Sequence, residues 1–182
     1  MTTALLIIDM QMVMQERLDA GREHVNGEAG QNIAALIAAF RAARKPVIHI
    51  RHVEADPASA LYKDAPGCRP MPCAEARDNE PVFIKSTSSA FASTELDGYL
   101  REVGITDLVV VGAVAGFCVN TTVRAGSDLG FRMSVVKDAV LGFDLPDADL
   151  SARTIFDVTM AHLKSDFAEM VETQQLVAMQ PA

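Results

Sequence analysis

Three side chains far apart along the chain, Asp9, Lys85 and Cys118, have the types that a covalent hydrolysis needs. A thiol can attack, a carboxyl group can move protons, and an ammonium can hold both in place. Cys118 follows the string GAVAGF, whose small residues Gly112, Ala113, Ala115 and Gly116 let the backbone turn tightly. It opens the segment CVNTTVRAGSDLG, which reads as a helix ending at Gly130. A sulfur at a helix N-terminus meets unpaired N–H groups and the positive end of the macrodipole, which favour a thiolate, and a nearby Lys85 ammonium adds to the effect. Asp9 would then take the thiol proton and hand it to a leaving amine, while the backbone N–H groups of Val114 and Cys118 hold the developing oxyanion. Each residue taken singly has a plainer reading. An aspartate after an apolar run serves as a cap or loop ligand, a cysteine fills a core, and a Lys–Asp pair is a structural ion pair. Chemistry is favoured only if the fold brings the three together.

Runs of mostly branched apolar residues at 4–8, 46–50, 82–84, 107–111 and 133–136 read as strands, with helical segments between them. Their nearly continuous apolar character is that of parallel strands covered on both faces. The expected fold is α/β, a three-layer doubly wound and mostly parallel sheet with helices on both faces. One helix spans 30–44, with Ile33, Leu36, Ile37 and Phe40 on a single side and Pro46 just past its end. Another runs from Ser93 or Thr94 to Gly104, and Ser151 caps a third that reaches about Lys164. Residues 167–171 add a short edge strand. Asp9 thus follows the first strand, Lys85 ends the third, and Cys118 lies in the turn after the fourth. Segments 11–28 and 53–80, the second with Pro57, Pro66, Pro70 and Pro72, read as loops at the carboxyl edge of the sheet, where open α/β folds bind ligands.

A length of 182 residues suits one domain over 1–182. The net charge of −8 argues against nucleic acid and membrane surfaces as partners. The opening run ALLIID lacks a basic start and is too short for a signal peptide or a membrane span, so the cytoplasm is the expected location. Three cysteines, an odd count without an export signal, argue against a disulfide framework. Cys68 and Cys73 in GCRPMPC are spaced more widely than a CxxC motif and read as loop thiols without a role.

The strings LLIIDMQ, FIKSTSSAFASTELDGYL and LVVVGAVAGFCVNTTVRAGSDLGFRMSVVKDA resemble the isochorismatase-like cysteine hydrolases, a superfamily that includes nicotinamidases, in order and over nearly the whole chain. The resemblance implies an isochorismatase-like hydrolase domain with Asp9, Lys85 and Cys118 as catalytic triad. It also implies a cis peptide between Ala113 and Val114, which aims an N–H at the oxyanion site, and assembly as a homodimer or homotetramer. Two departures bear on substrate. The Asp-x-His metal motif of nicotinamidases is replaced by His52-Val53-Glu54, so no metal or other cofactor is expected, although His52 and Glu54 remain candidates by residue type. Ala115 stands where the family often carries Thr or Ser. His49, inside the second strand, reads as a core or sheet residue.

Gln11, Phe91 and Phe117 are the candidate substrate-binding residues, Phe91 either stacking on a planar substrate or joining the core. Met10, Met12 and Met14 line a pocket or pack against a neighbouring subunit. The expected reaction is hydrolysis of an amide-type C–N bond in a small molecule: thiolate attack, loss of ammonia or an amine, and hydrolysis of a thioester. Two other readings stay open. Vinyl-ether hydrolysis of the isochorismatase kind needs no thiol, and a catalytically idle binding protein on the same fold would keep Asp9 and Lys85 as an ion pair.

Overall fold

In the computed structural model, which describes residues 2–178, the run TTALLII forms the central strand β1 (Thr2–Ile8), and Ala4 to Ile8 are buried. Met1 and residues 179–182 of the expected 1–182 domain lie outside the described residues. The chain continues through α1 (Met12–Asp19), β2 (His24–Val25), α2 (Ala29–Ala42), β3 (Val47–His52) and β4 (Val82–Lys85). It then forms α3 (Leu96–Glu102), β5 (Ile105–Ala113), a π-helical turn (Ala115–Val119), α4 (Asn120–Asp128) and β6 (Arg132–Phe143). The last elements are α5 (Ala152–Asp166), β7 (Glu169–Val171) and α6 (Thr173–Ala178). Seven strands make one sheet in the order β2-β6-β5-β1-β3-β4, with β7 sharing the outer edge of β6 with β2. Of these seven strands among the described residues, only β2 pairs antiparallel.

Because a parallel strand sends successive side chains to opposite faces, β1 divides its apolar residues between two cores. Leu6 and Ile8 join Leu96, Leu100, Val123, Phe156 and Leu163 from α3, α4 and α5. Leu5 and Ile7 join Ile33, Leu36, Ile37 and Phe40 from α2. The result is the three-layer, doubly wound α/β fold. None of the described helices is long and apolar enough to cross a membrane.

The segment 11–28 is not a loop throughout. Met12–Asp19 is helical, with Val13 and Met14 buried, although Gln11 at its N-cap makes no side-chain capping bond. The helix is held from outside: the Met12 N–H donates to the Arg69 carbonyl at 2.8 Å. A helix stabilised by packing rather than by caps leaves little local signal. Met10 and Met14 are buried in the core, Met12 packs against it partly buried, and Met14 also lines the cavity at Cys118. Segment 53–80 contains two 3₁₀ turns, Pro66–Cys68 and Pro72–Ala74, each opened by its proline.

Strand β6 is longer than the run 133–136 because a bulge interrupts its apolar pattern. Val110 faces Val135 but Gly112 faces Val140, so β6 carries extra residues around Lys137 and Asp138. Their carbonyls are met by Asn26 Nδ2 and Asn32 Nδ2 at 2.8 and 2.7 Å. Opposite the bulge, Gly112 has φ 122°, and a Cβ there would collide with the Ile8 carbonyl oxygen. Glycine therefore lets β5 approach β1 next to the turn that carries Cys118.

At the other end of β3 and β4, Glu80 ties the strands to α2. Its carboxylate accepts from Arg41 Nε and Nη2 at 2.7 and 2.8 Å and from His49 Nε2 at 2.9 Å. Burial and the surrounding cations hold His49 below its ordinary pKa despite Glu80, so the His49 contact is a neutral hydrogen bond. Burial pushes the Glu80 carboxyl up, but the donors from Arg41, the Arg77 N–H and His49 outweigh it and bring the pKa to about 2. A carboxyl depressed from 4.5 to about 2 contributes its full stability above about pH 4.5 and loses it as the pH falls toward 2. Glu80→Gln should therefore cost about 2 kcal/mol in chemical denaturation at pH 7. The difference from wild type should shrink steadily below pH 4.5, and a constant gap down to pH 2 would contradict the assignment.

Candidate active site

Asp9 leaves β1 in the left-handed region, φ 51°, a conformation that aspartate tolerates better than most residues. Its N–H still donates to the Ile50 carbonyl at 3.0 Å, so the turn is anchored on β3. Lys85, the last residue of β4, is 0% exposed, and its ammonium lies among four acceptors. Nζ is 2.8 Å from Asp9 Oδ2, 2.8 Å from His52 Nδ1, 3.1 Å from the Thr87 carbonyl and 3.2 Å from Cys118 Sγ. Three N–H donors thus serve a carboxylate, an imidazole, a carbonyl and a thiol. The other Asp9 oxygen, Oδ1, is buried without a hydrogen-bond partner among the described residues.

Cys118 sits in the π-helical turn that joins β5 to α4. The preceding Ala113–Val114 peptide is cis. The sulfur opens into a cavity of about 350 Å³ whose floor is Asp9, His52 and Cys118. An Asp9 carboxylate oxygen, a His52 ring nitrogen and Cys118 Sγ lie within 4.8 Å of one another there. Its walls include Met14 and Arg17 from α1, Leu61 and Glu54 from the long loop, and Phe117, which is 50% exposed. This edge of the sheet can therefore offer a nucleophile, a proton carrier and a fixed cation to one small molecule.

Residues 3–175 match the isochorismatase domain family. The chain belongs to that family. A structure of a hydrolase of the isochorismatase family from Chromobacterium violaceum is 32% identical and superposes with a TM-score of 0.90 over 97% of this chain and 92% of that one. A cysteine hydrolase from Pseudomonas syringae pv. phaseolicola is 25% identical, with a TM-score of 0.88 over 97% of this chain and 91% of that one. In sequence, a streptothricin hydrolase of Streptomyces noursei is 29% identical over 91% of this chain and 58% of its own length.

Two of the three candidate substrate residues lie elsewhere in this isochorismatase-family fold. Gln11 is fully buried, and its amide is used up on backbone: Nε2 donates to the carbonyls of His52 and Cys68 at 2.9 and 2.8 Å, and Oε1 accepts from the His52 N–H at 2.8 Å. It ties the loop after β1 to the end of β3. Phe91 stacks on Phe131 with ring centroids 5.7 Å apart and joins the apolar core, and only Phe117 reaches the cavity. Ala115 is buried beside Gly142 and faces core rather than substrate. Cys68 and Cys73 are free thiols.

His52 and Glu54, the metal candidates by residue type, are engaged with their neighbours. His52 Nδ1 accepts from the Lys85 ammonium, a fixed positive charge at the centre of the cluster, and Nε2 lies 3.6 Å from Glu54. Burial and Lys85 hold the imidazole below its ordinary pKa, so His52 is a neutral acceptor toward Lys85 with its proton on Nε2. This role was hidden in the sequence because His52 and Lys85 become neighbours only through β3–β4 pairing. Arg17 was equally hidden, since it reaches the cavity from α1.

The protonation state of the thiol reverses the expectation of a resting thiolate. Burial, and then the Asp9 charge, push Cys118 up to about 11 against the opposing pull of Lys85. The Lys85 charge is already engaged by Asp9, whose carboxyl burial holds above its ordinary value although Lys85 pulls it down. Iodoacetamide labelling of Cys118 in the free protein should therefore keep rising with pH past 10, with no plateau at the ordinary thiol value of about 8.5. Asp9→Asn removes the opposing charge and leaves Lys85 to face the sulfur, so the inflection should drop by more than about one pH unit. A wild-type plateau below pH 9, read by intact mass, would contradict the neutral thiol.

Proposed function

We propose that this isochorismatase-family protein is a cysteine hydrolase that cleaves the C–N bond of a small amide-type molecule through a thioester at Cys118. The supporting observation is the division of labour on Asp9. Oδ2 is held by Lys85 Nζ at 2.8 Å, while Oδ1 is buried, unpartnered and free to accept a proton. When substrate fills the cavity, the Cys118 proton passes to Asp9 and the negative charge moves from oxygen to sulfur. Lys85 Nζ contacts both atoms, so the charge stays beside the same cation throughout. The sulfur then attacks the carbonyl carbon, and the N–H groups of Val114 and Cys118 hold the oxyanion. Asp9 returns its proton to the departing nitrogen, the C–N bond breaks, and ammonia or an amine leaves. Water takes the vacated place, Asp9 accepts its proton, and hydroxide attacks the thioester, breaking the C–S bond to release the acid; Asp9 then returns the proton to the departing sulfur.

Vinyl-ether hydrolysis would leave the 3.2 Å contact between Lys85 and the sulfur without a purpose, and an idle binding protein would not need a thiol on the cavity floor. The cysteine hydrolase and the streptothricin hydrolase among the relatives support the same reaction class. The test is ammonia release from a panel of small amides and ureides, together with intact-mass trapping of the acyl-enzyme. Cys118→Ala should lose on the order of 10³-fold or more in kcat/KM and all trapped adduct. Ammonia release retained in that variant would exclude the thioester route.

A further inference from the structure

Two arginines line the cavity over Cys118, and they are not equivalent. Arg22 is paired: Nε donates to Asp144 Oδ1 and Nη2 to the Asp144 carbonyl, both at 2.8 Å. Arg17 forms no ion pair among the described residues. Its Nη1 meets only Met14 Sδ at 3.8 Å, and its guanidinium lies 5.6 Å from the Phe143 ring. Arg22 lies at the same distance from that ring, so two like charges flank one aromatic side chain. Burial and the Arg22 charge lower the Arg17 pKa, and Glu54 offsets this only in part. Glu54 is itself turned toward His52 at 3.6 Å and is about half exposed. A half-buried guanidinium with five donors and no anion is an incomplete arrangement, and its planar fork matches a carboxylate.

We propose that Arg17 is the anion-binding subsite of this cavity and that the substrate is a small amide carrying a carboxylate. The carboxylate is held by Arg17 while the scissile carbonyl lies at Cys118 Sγ. Met14, Leu61, Leu145 and Phe117 line the same cavity, so the substrate meets apolar side chains beside its polar contacts. A cavity of about 350 Å³ limits it to a small molecule. The assignment rests on the cysteine-hydrolase reading for the identity of the scissile bond, but the charge preference of the pocket does not.

The preference can be measured without turnover. Iodoacetate and iodoacetamide alkylate the same sulfur and differ in carrying a carboxylate or a neutral amide. Their rates at Cys118, followed by peptide mapping of the full chain so that Cys68 and Cys73 are counted separately, give a ratio that cancels changes in thiol ionisation. Arg17→Ala should lower the iodoacetate-to-iodoacetamide ratio about tenfold, as expected for loss of a positive charge from the cavity wall, and Arg17→Lys, which keeps the charge, should lower it less. If the alanine variant fails to fold, Arg17→Gln, which keeps much of the length without the charge, carries the same expectation. A ratio equal to that of wild type, including the case in which both reagents slow alike, overturns the subsite. Absence of ammonia release from every amide tested would instead count against the hydrolase reading while leaving the labelling ratio intact.

Discussion

A lysine ammonium with no access to water is the constraint around which the rest of this structure is arranged. Burying such a charge costs several kcal/mol unless opposite charge and acceptors surround it. Lys85 finds them only at the junction of strand ends: a carboxylate after β1, an imidazole at the end of β3, a carbonyl just past β4 and a sulfur after β5. Those groups converge only if β1 lies between β3 and β5 and β4 borders β3, which is the observed order. The supporting features serve the same convergence. Gly112 brings β5 against β1, Gln11 fastens the loop after β1 to His52, and the Glu80 cluster secures β3, β4 and α2 at the opposite end.

The same constraint sets the state of the thiol. A single cation shared by a carboxylate and a sulfur stabilises one negative charge well and two poorly. The oxygen is the stronger claimant at rest, so the sulfur keeps its proton although a cation touches it. Reactivity is then conditional on a shift of one proton between two groups that already share Lys85. In the proposed mechanism this arrangement keeps the thiol protonated until substrate fills the cavity.

Much of this architecture was legible in the chain. Continuous apolar runs marked β1, β3, β4 and β5, and Asp9, Lys85 and Cys118 stood out together because three reactive side chains at separate strand ends point to one edge of the sheet. The small-residue string before Cys118 marked its turn. The region 11–28 was not legible: MVMQERLD has no capping bond at its start, and its helix is held by residues near 66–69, which no local pattern announces. With that helix unseen, Arg17 had no place. Gln11 was a candidate substrate contact, and Phe91 was open to either a substrate stack or a place in the core. In the fold one spends its amide on backbone and the other turns to stack on Phe131. The bulge in β6 hid half of that strand by interrupting its apolar run with Lys137 and Asp138.

By itself the sequence determined the order of the main strands and helices, because hydrophobic period is a local property, and it determined which residue types stand at the strand ends. Tertiary structure decided the electrostatics. Whether Cys118 rests as thiol or thiolate depends on its burial and on whether Lys85 lies closer to Asp9 or to the sulfur, and such distances exist only once β1, β4 and β5 are assembled. The same holds for His52, whose contact with Lys85 exists only once β3 and β4 pair, and for Arg17, whose place on the cavity wall depends on the packing of α1.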